Sequence, residues 1–303
     1  MVNLPSLRQL QYLVALHKHR HFSKAAKDCD ISQSTLSAAI VQLEETLGCQ
    51  LLERAHKTFT FTHVGEDVVK EAKILIQSSI DMLNFTRRQS QPMSGQLVLG
   101  CIPTIAPFVL GQVSKAANGK FPQLKLLSYE DKLESLLEGL HSGEIDLAIL
   151  AGSVKSEGLI ETVLAEDLFN LVIHKELMEI HQTKSVSKLP EQSIYILNDK
   201  HCLHHQVLGA CKINDRSKLY PFEANSLNTL VQMVDAQRGV TFLPQMVVNS
   251  SILHGTDLVA RRAEPNGIHR KITLVWRKSH KSVDTLNNLC NIISEIVRIK
   301  CLQ

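Results

Sequence analysis

The chain has 303 residues, 33 Lys and Arg against 30 Asp and Glu, a formal net charge of +3 and 44% apolar residues. That length suits about two domains with ordinary cores, and no run approaches the ~18 apolar residues that a membrane span needs. The opening Met1-Val2-Asn3-Leu4-Pro5 carries neither the basic nor the apolar stretch of a secretory signal, so a cytoplasmic protein without a membrane partner is expected.

Taken in chain order, the first element is an amphipathic helix. Leu7, Leu10, Leu13 and Val14 fall at three-and-four spacing behind a capping Ser6. A short helix follows at Phe22-Ser-Lys-Ala-Ala-Lys27, where Ala25 and Ala26 permit close crossing. After the break at Cys29-Asp-Ile-Ser-Gln33, the residues Leu36, Ile40, Leu43 and Leu47 make one apolar stripe that Gly48 stops. Two helices and a tight turn match the helix-turn-helix plan, whose second helix lies in the DNA major groove. Its outward N-terminal residues are Ser32, Gln33, Ser34, Thr35 and Ser37. Gln can pair with adenine and hydroxyls suit phosphates or bases. Leu51-Leu-Glu-Arg54 and Phe59-Thr-Phe-Thr62 then read as the strands of a wing, with Arg54, Lys57 and Thr58 near phosphate. Residues 1–66 hold seven Lys/Arg and six Asp/Glu, so this case rests on pattern and not on charge.

Phe22-Ser-Lys-Ala-Ala, Ile31-Ser-Gln-Ser-Thr-Leu-Ser, Leu43-Glu-Glu-Thr-Leu-Gly, Leu51-Leu-Glu-Arg and Thr62-His-Val-Gly65 follow one another in the order and spacing of a known signature. In these segments the chain resembles the LysR-type transcriptional regulators. It departs from them at Ser34, where the family often has Pro, and at Ala39 and Val41, where Gln and basic groups are common. The resemblance implies a winged helix-turn-helix over residues 1–63, a linker helix over 64–92 and a two-lobed regulatory domain over 93–303. It also implies a homodimer or homotetramer on an interrupted palindrome of double-stranded DNA, with RNA polymerase as a further partner.

Residues 64–88 lack Pro and carry Gly only at 65, near the start. Val69, Ile76, Ile80 and Leu83 line one side, which fits a helix packing against its own copy. A helix buried within its own domain would show the same stripe. Gln89-Ser-Gln-Pro-Met-Ser-Gly95 reads as a hinge.

From Leu97 the rhythm becomes α/β. Leu97-Val-Leu-Gly100 and Lys125-Leu-Leu-Ser128 read as strands, Leu133 to Leu140 as a helix, and Ile145-Asp-Leu-Ala-Ile-Leu150 as a further strand. A second lobe beginning near Leu168 has a helix from Leu227 to Ala236 and a strand at Gly239 to Pro244. Lys271 to Trp276 looks like a strand returning to the first lobe, and Val283 to Val297 like a closing helix. Two such lobes resemble the type-2 periplasmic-binding fold that the family uses as a sensor. No phosphate loop, GxSxG elbow or HExxH helix is present, so the sequence offers an enzyme no footing.

The seven cysteines are odd in number and form no CxxC, which argues against a secreted disulfide framework and a zinc ribbon. Cys29, Cys49, Cys101, Cys290 and Cys301 fall at core or helix-end positions. One stretch stands apart: Asn198-Asp-Lys-His201-Cys202-Leu-His204-His205-Gln-Val-Leu-Gly209-Ala-Cys211. It is similar to the redox segment of the peroxide-sensing branch of the same family, a likeness supported by Ile102-Pro-Thr104 and Arg20-His-Phe22. The resemblance implies hydrogen peroxide as the signal and a reversible Cys202–Cys211 disulfide. Cys202 would attack peroxide as a thiolate and condense as a sulfenic acid with Cys211. Thr104, His201, His204 and His205 would form the peroxide pocket. Histidines stand at 204 and 205 where the branch carries Arg and Asp, and Leu133 stands where it has a pocket threonine. Neither cofactor nor resident metal belongs to this expectation, although His201, Cys202, His204 and His205 are of types that bind zinc or copper. Inert thiols in a regulator of some small-molecule ligand, or a thiol peroxidase, remain open on the residues alone.

Overall fold

The computed structural model describes residues 3–55, 58–90, 93–154, 156–180, 189–263, 268–280 and 283–302. They fall into two compact units, one mainly of residues up to 90 and one mainly of the chain from 91 onward, with residues 141–144 counted in the first.

In the first unit, α1 (Leu7–His19) starts at a reciprocal cap. Ser6 Oγ accepts the Gln9 backbone N–H at 3.2 Å, and the Gln9 side chain accepts the Ser6 N–H at 2.9 Å. Then come α2 (Phe22–Asp28) and α3 (Gln33–Leu47), the latter ended by Gly48 at φ 69°, a left-handed conformation that glycine adopts without strain. β1 (Leu52–Ala55) and β2 (Thr58–Phe61) pair antiparallel as the wing, and α4 (His63–Ser90) follows. Leu13, Leu16, Leu36, Ile40, Leu43 and Leu51 are fully buried in one core. The stripe of α3 runs out at its last turn, where Leu47 is 37% exposed. The first turn of α4 passes so close to the Leu51 carbonyl that a Cβ at Gly65 would not fit. The helix then sends Val69 and Ala72 into the same core.

The second unit contains β3 (Gly95–Cys101), α5 (Ala106–Lys120), β4 (Leu124–Glu130), α6 (Leu133–Ser142), β5 (Leu147–Ala151), β6 (Leu159–His174), α7 (Lys175–Ile180), α8 (Cys202–Ala210), α9 (Leu227–Ala236), β7 (Val240–Pro244), α10 (Gln245–Val248), β8 (Leu258–Arg262), β9 (His269–Arg277) and α11 (Val283–Cys301). The strand order is β4-β3-β5-β9-β6-β7, with β8 also on β6. β4, β3 and β5 run parallel, and β9 returns antiparallel to β5.

β6 explains the two lobes. Its first part, Leu159 to Leu168, pairs with β9, and its second, Phe169 to His174, lies between β7 and β8. One 16-residue strand therefore belongs to both sheets, and two cores lie along it. The sequence reading placed the second lobe near Leu168 without recognising this strand. Its first half is largely exposed and carries Glu161 and Glu166, so it does not read as a buried run.

Candidate functional site

α8 lies between the two cores, and its sequence explains how. Leu203, Val207 and Cys211 belong to the core of lobe two, whereas Cys202 packs against that of lobe one. Gln206, one turn beyond Cys202, donates through Nε2 to the Ala151 carbonyl at the end of β5, at 3.0 Å. One helix face is thus committed to each lobe. Cys202 and Cys211 are both free thiols, at the first helical position and the C-cap. Nine residues at 1.5 Å each put their Cα atoms ~13.5 Å apart along the axis, well beyond the ~4.4–6.8 Å of a disulfide.

A buried charged group whose field reaches Cys202 is one that sequence reasoning missed. Arg270 on β9 and Asp167 on β6 are direct register partners at the crossing between lobes. Arg270 Nε donates to Asp167 Oδ2 at 3.0 Å, with side chains 1% and 0% exposed. Arg270 also donates to Thr104 Oγ1 at 3.0 Å and to the Thr104 carbonyl at 3.3 Å. The remaining Asp167 oxygen accepts the Met246 N–H at 2.9 Å. The signal was present in the sequence: in strand parity Arg270 shares a face with Ile272 and Leu274, both fully buried. A charge on an apolar strand face needs a partner.

Burial pushes the Cys202 thiol above its ordinary pKa. The Arg270 charge and the backbone N–H groups of Cys202 and Leu203 oppose it, and Glu134 on α6 reinforces it. Burial alone pushes Cys211 up to about 12. His201 is pushed below the usual imidazole range by burial, against a hydrogen bond to the Asn225 backbone.

A cleft of about 350 Å³ lies between the lobes and is lined by Thr104, Phe108 and Glu130 on one side and by His201, Asn225 and Leu227 on the other. It brings Thr104 and His201 together. His204 and His205 are not among its lining residues. They turn back on the preceding segment, where His204 Nδ1 donates to the Leu197 carbonyl at 2.7 Å and His205 Nε2 to the Asp199 carbonyl at 3.0 Å. Leu133, at the start of α6, packs against the core of lobe one. Among the described residues no three His, Cys, Asp or Glu side chains gather as a metal site.

In the first unit, the residues expected at DNA cluster at the start of α3. Ser32 Oγ accepts the Thr35 N–H at 3.1 Å and shares hydroxyl hydrogen bonds with Ser34 and Thr35. Gln33 Oε1 accepts from Ser23 at 2.7 Å, which ties the recognition turn to α2. Ser32 to Thr35 are exposed and Ser37 is half-buried. Arg54 and Thr58 are exposed on the wing, with Arg54 3.4 Å from Glu44, and Lys57 lies outside the described residues. The stripe on α4 divides. Val69 is 2% exposed in its own chain's core, which corrects its assignment to an intermolecular face. Ile80 and Leu83 are 42% and 53% exposed, and Ile76 is half-buried between these two regimes.

Comparison with known proteins agrees with both units. Residues 7–66 match the profile described as bacterial regulatory helix-turn-helix protein, lysR family, and residues 90–296 that of the LysR substrate binding domain. The chain belongs to the LysR family. It is 35% identical over 296 residues to the HTH-type transcriptional regulator EstR of Acinetobacter baylyi, covering 98% of each chain. It is 36% identical to the hydrogen peroxide-inducible genes activator of Dickeya chrysanthemi, over 90% of this chain and 89% of the other. Among solved structures, the reduced regulatory domain of Vibrio vulnificus OxyR2 is similar at 40% identity and a TM-score of 0.63, over 67% of this chain and 96% of that one. Full-length OxyR from Pseudomonas aeruginosa shares the fold at a TM-score of 0.76, 24% identity and 96% and 98% coverage. Members of this family are transcription regulators. Among the described residues no helix is long and apolar enough to cross a membrane.

Proposed function

We propose that this LysR-family protein is a cytoplasmic, non-enzymatic regulator that binds an interrupted palindrome and senses hydrogen peroxide through Cys202 and Cys211. The observation that carries the reading is their placement at the two ends of a helix that faces both lobes, with Cys202 against the core of lobe one and Cys211 in that of lobe two. Peroxide supplies one oxygen to the Cys202 thiolate, giving a sulfenic acid and water. Attack by Cys211 then forms the disulfide and releases a second water. Cys211 is buried in the lobe-two core, and an intact α8 holds it beyond disulfide distance of Cys202, so disulfide formation and unwinding of α8 are one event. Thr104 and Arg270 hold the peroxide side of the pocket, with His201 beside them as a neutral donor or acceptor. His204 and His205 serve by fixing the segment before α8.

In this reading residues 1–63 form the DNA-binding domain, 64–92 the dimerising linker and 93–303 the sensor. Ser32 to Thr35 and Ser37 meet the major groove, Arg54, Lys57 and Thr58 meet phosphate, and Ile76, Ile80 and Leu83 meet a second copy. The reading is supported by relatives named as peroxide-inducible activators. It is tested by exposing the reduced full-length protein to sub-stoichiometric peroxide and mapping both thiols by mass spectrometry. A Cys202–Cys211 disulfide is expected.

Free thiols at both positions would leave the second reading, a regulator that takes a small-molecule ligand in the inter-lobe cleft. The specific observation favouring that reading is a cleft of about 350 Å³, far larger than hydrogen peroxide requires.

A further inference from the structure

We propose that Gln206 is a positioning residue that sets how readily the Cys202–Cys211 pair oxidises, by tying α8 to lobe one in the reduced state. The inference rests on the redox reading above and adds a residue to it. Three observations carry it. The Gln206 amide donates to the Ala151 carbonyl at 3.0 Å, and it is the side chain of α8 that hydrogen-bonds β5. Gln206 stands four residues after Cys202, so both side chains project from one helix face, while Leu203, Val207 and Cys211 hold the opposite face in lobe two. The Gln206 Oε1 is buried and has no hydrogen-bond partner among the described residues. The amide is therefore kept dry at a cost to its oxygen, for the sake of the bond its nitrogen makes.

The acceptor is well fixed. Ala151 is the last residue of β5, and Gly152 after it holds φ at +97° with its N–H on the Lys271 carbonyl at 2.7 Å. Thr273 Oγ1 donates to the Gly152 carbonyl at 2.9 Å. The turn that receives Gln206 is thus locked to β9. A disulfide draws two Cα atoms together that an intact α8 keeps apart, so α8 must unwind, and Gln206 on its middle turn must let go. The bond exists only in the dithiol form. Whatever stabilises the dithiol makes the couple a stronger oxidant, and its loss favours the disulfide.

The expected effect is a fivefold shift, since a neutral hydrogen bond contributes ~1 kcal/mol net. In the full-length protein, Gln206→Met keeps the approximate shape and removes the donor without adding a charge, and Gln206→Ala removes the whole group. Equilibration in dithiothreitol redox buffers, followed by alkylation and mass spectrometry, should show the Cys202–Cys211 couple about 20 mV more negative in either variant, which is fivefold at about 30 mV per tenfold change for two electrons. A second measurement separates this from general loosening. Maleimide labelling of Cys211 in the reduced protein should speed up fivefold, while Cys101, fully buried in lobe one, keeps its wild-type rate.

An unchanged midpoint with unchanged Cys211 labelling overturns the proposal, and so does equal acceleration of Cys101. If wild type forms no Cys202–Cys211 disulfide under oxidising conditions, the redox reading itself fails. The labelling rates would still report whether Gln206 secures α8.

Discussion

Replacing Arg270 with Met tests the ion pair at the lobe crossing. The change removes the donors to Asp167 and to both Thr104 oxygens, while the aliphatic stem is roughly retained. Asp167 is left with 0% side-chain exposure and, among the described residues, the Met246 N–H as its remaining hydrogen-bond donor. Breaking one side of a buried pair costs ~3–5 kcal/mol, mostly because the surviving charge is uncompensated. At ~2–4 °C per kcal/mol for a unit of this size, the melting point should fall by about 6–20 °C. The single tryptophan, Trp276, lies on β9 in register with Ile160 and Leu147, so its fluorescence reports unfolding of this sheet. Adding Asp167→Asn removes the stranded charge and keeps an acceptor for the Met246 N–H. The double variant should therefore be more stable than Arg270→Met alone, with a coupling above ~1.5 kcal/mol in urea. In the single variant the Cys202 thiol should also titrate higher and react more slowly with peroxide at fixed pH, because the Arg270 charge that favours its thiolate is gone. Additive effects, or a loss below ~1 kcal/mol for the single change, would refute the claim that Arg270 compensates the buried Asp167 side chain.

Cys202→Ser should abolish peroxide-induced disulfide formation, whereas Cys211→Ser should still consume one equivalent and stop at a sulfenic acid trapped by dimedone. The rate of Cys202 oxidation should rise with pH about tenfold per unit from pH 6 to beyond 8.5, because a raised thiol pKa keeps the thiolate a minor species throughout. A plateau near pH 7 would mean a lowered pKa. Leu83→Asp should reduce the particle mass in light scattering and leave the melting point within about 2 °C, while Val69→Asp should unfold the head, a difference of about 3 kcal/mol or more from burying an unpaired charge. Gln33→Ala should cost about 1–3 kcal/mol at one operator position and nothing on non-specific DNA, measured by competition binding. A uniform loss on all sequences would place Gln33 away from the bases.

The sequence alone determined the elements whose pattern is local. Ser6 with Gln9, the Leu36-Ile40-Leu43 stripe and Gly48 mark the ends and buried faces of the head helices because caps and periodicity act within a few residues. Leu227 to Ala236 was legible to the residue for the same reason, with Ser226 as its cap. The spacing of Cys202 and Cys211 was likewise plain. What the tertiary structure decided are the relations that depend on which strand lies beside which. β6 could not be recognised from its own residues, because its first half is one-sided and polar while its second is buried between two neighbours. Arg270 and Asp167 are 103 positions apart in the chain and meet only through the antiparallel register of β6 and β9. The division of the α4 stripe, with Val69 inside and Leu83 outside, follows from where the head's core ends along that helix, and periodicity is blind to that. His204 and His205 looked like pocket residues by proximity to Cys202 in sequence. On a helix, neighbours in sequence point in different directions, and these two turn to the carbonyls of residues 197 and 199.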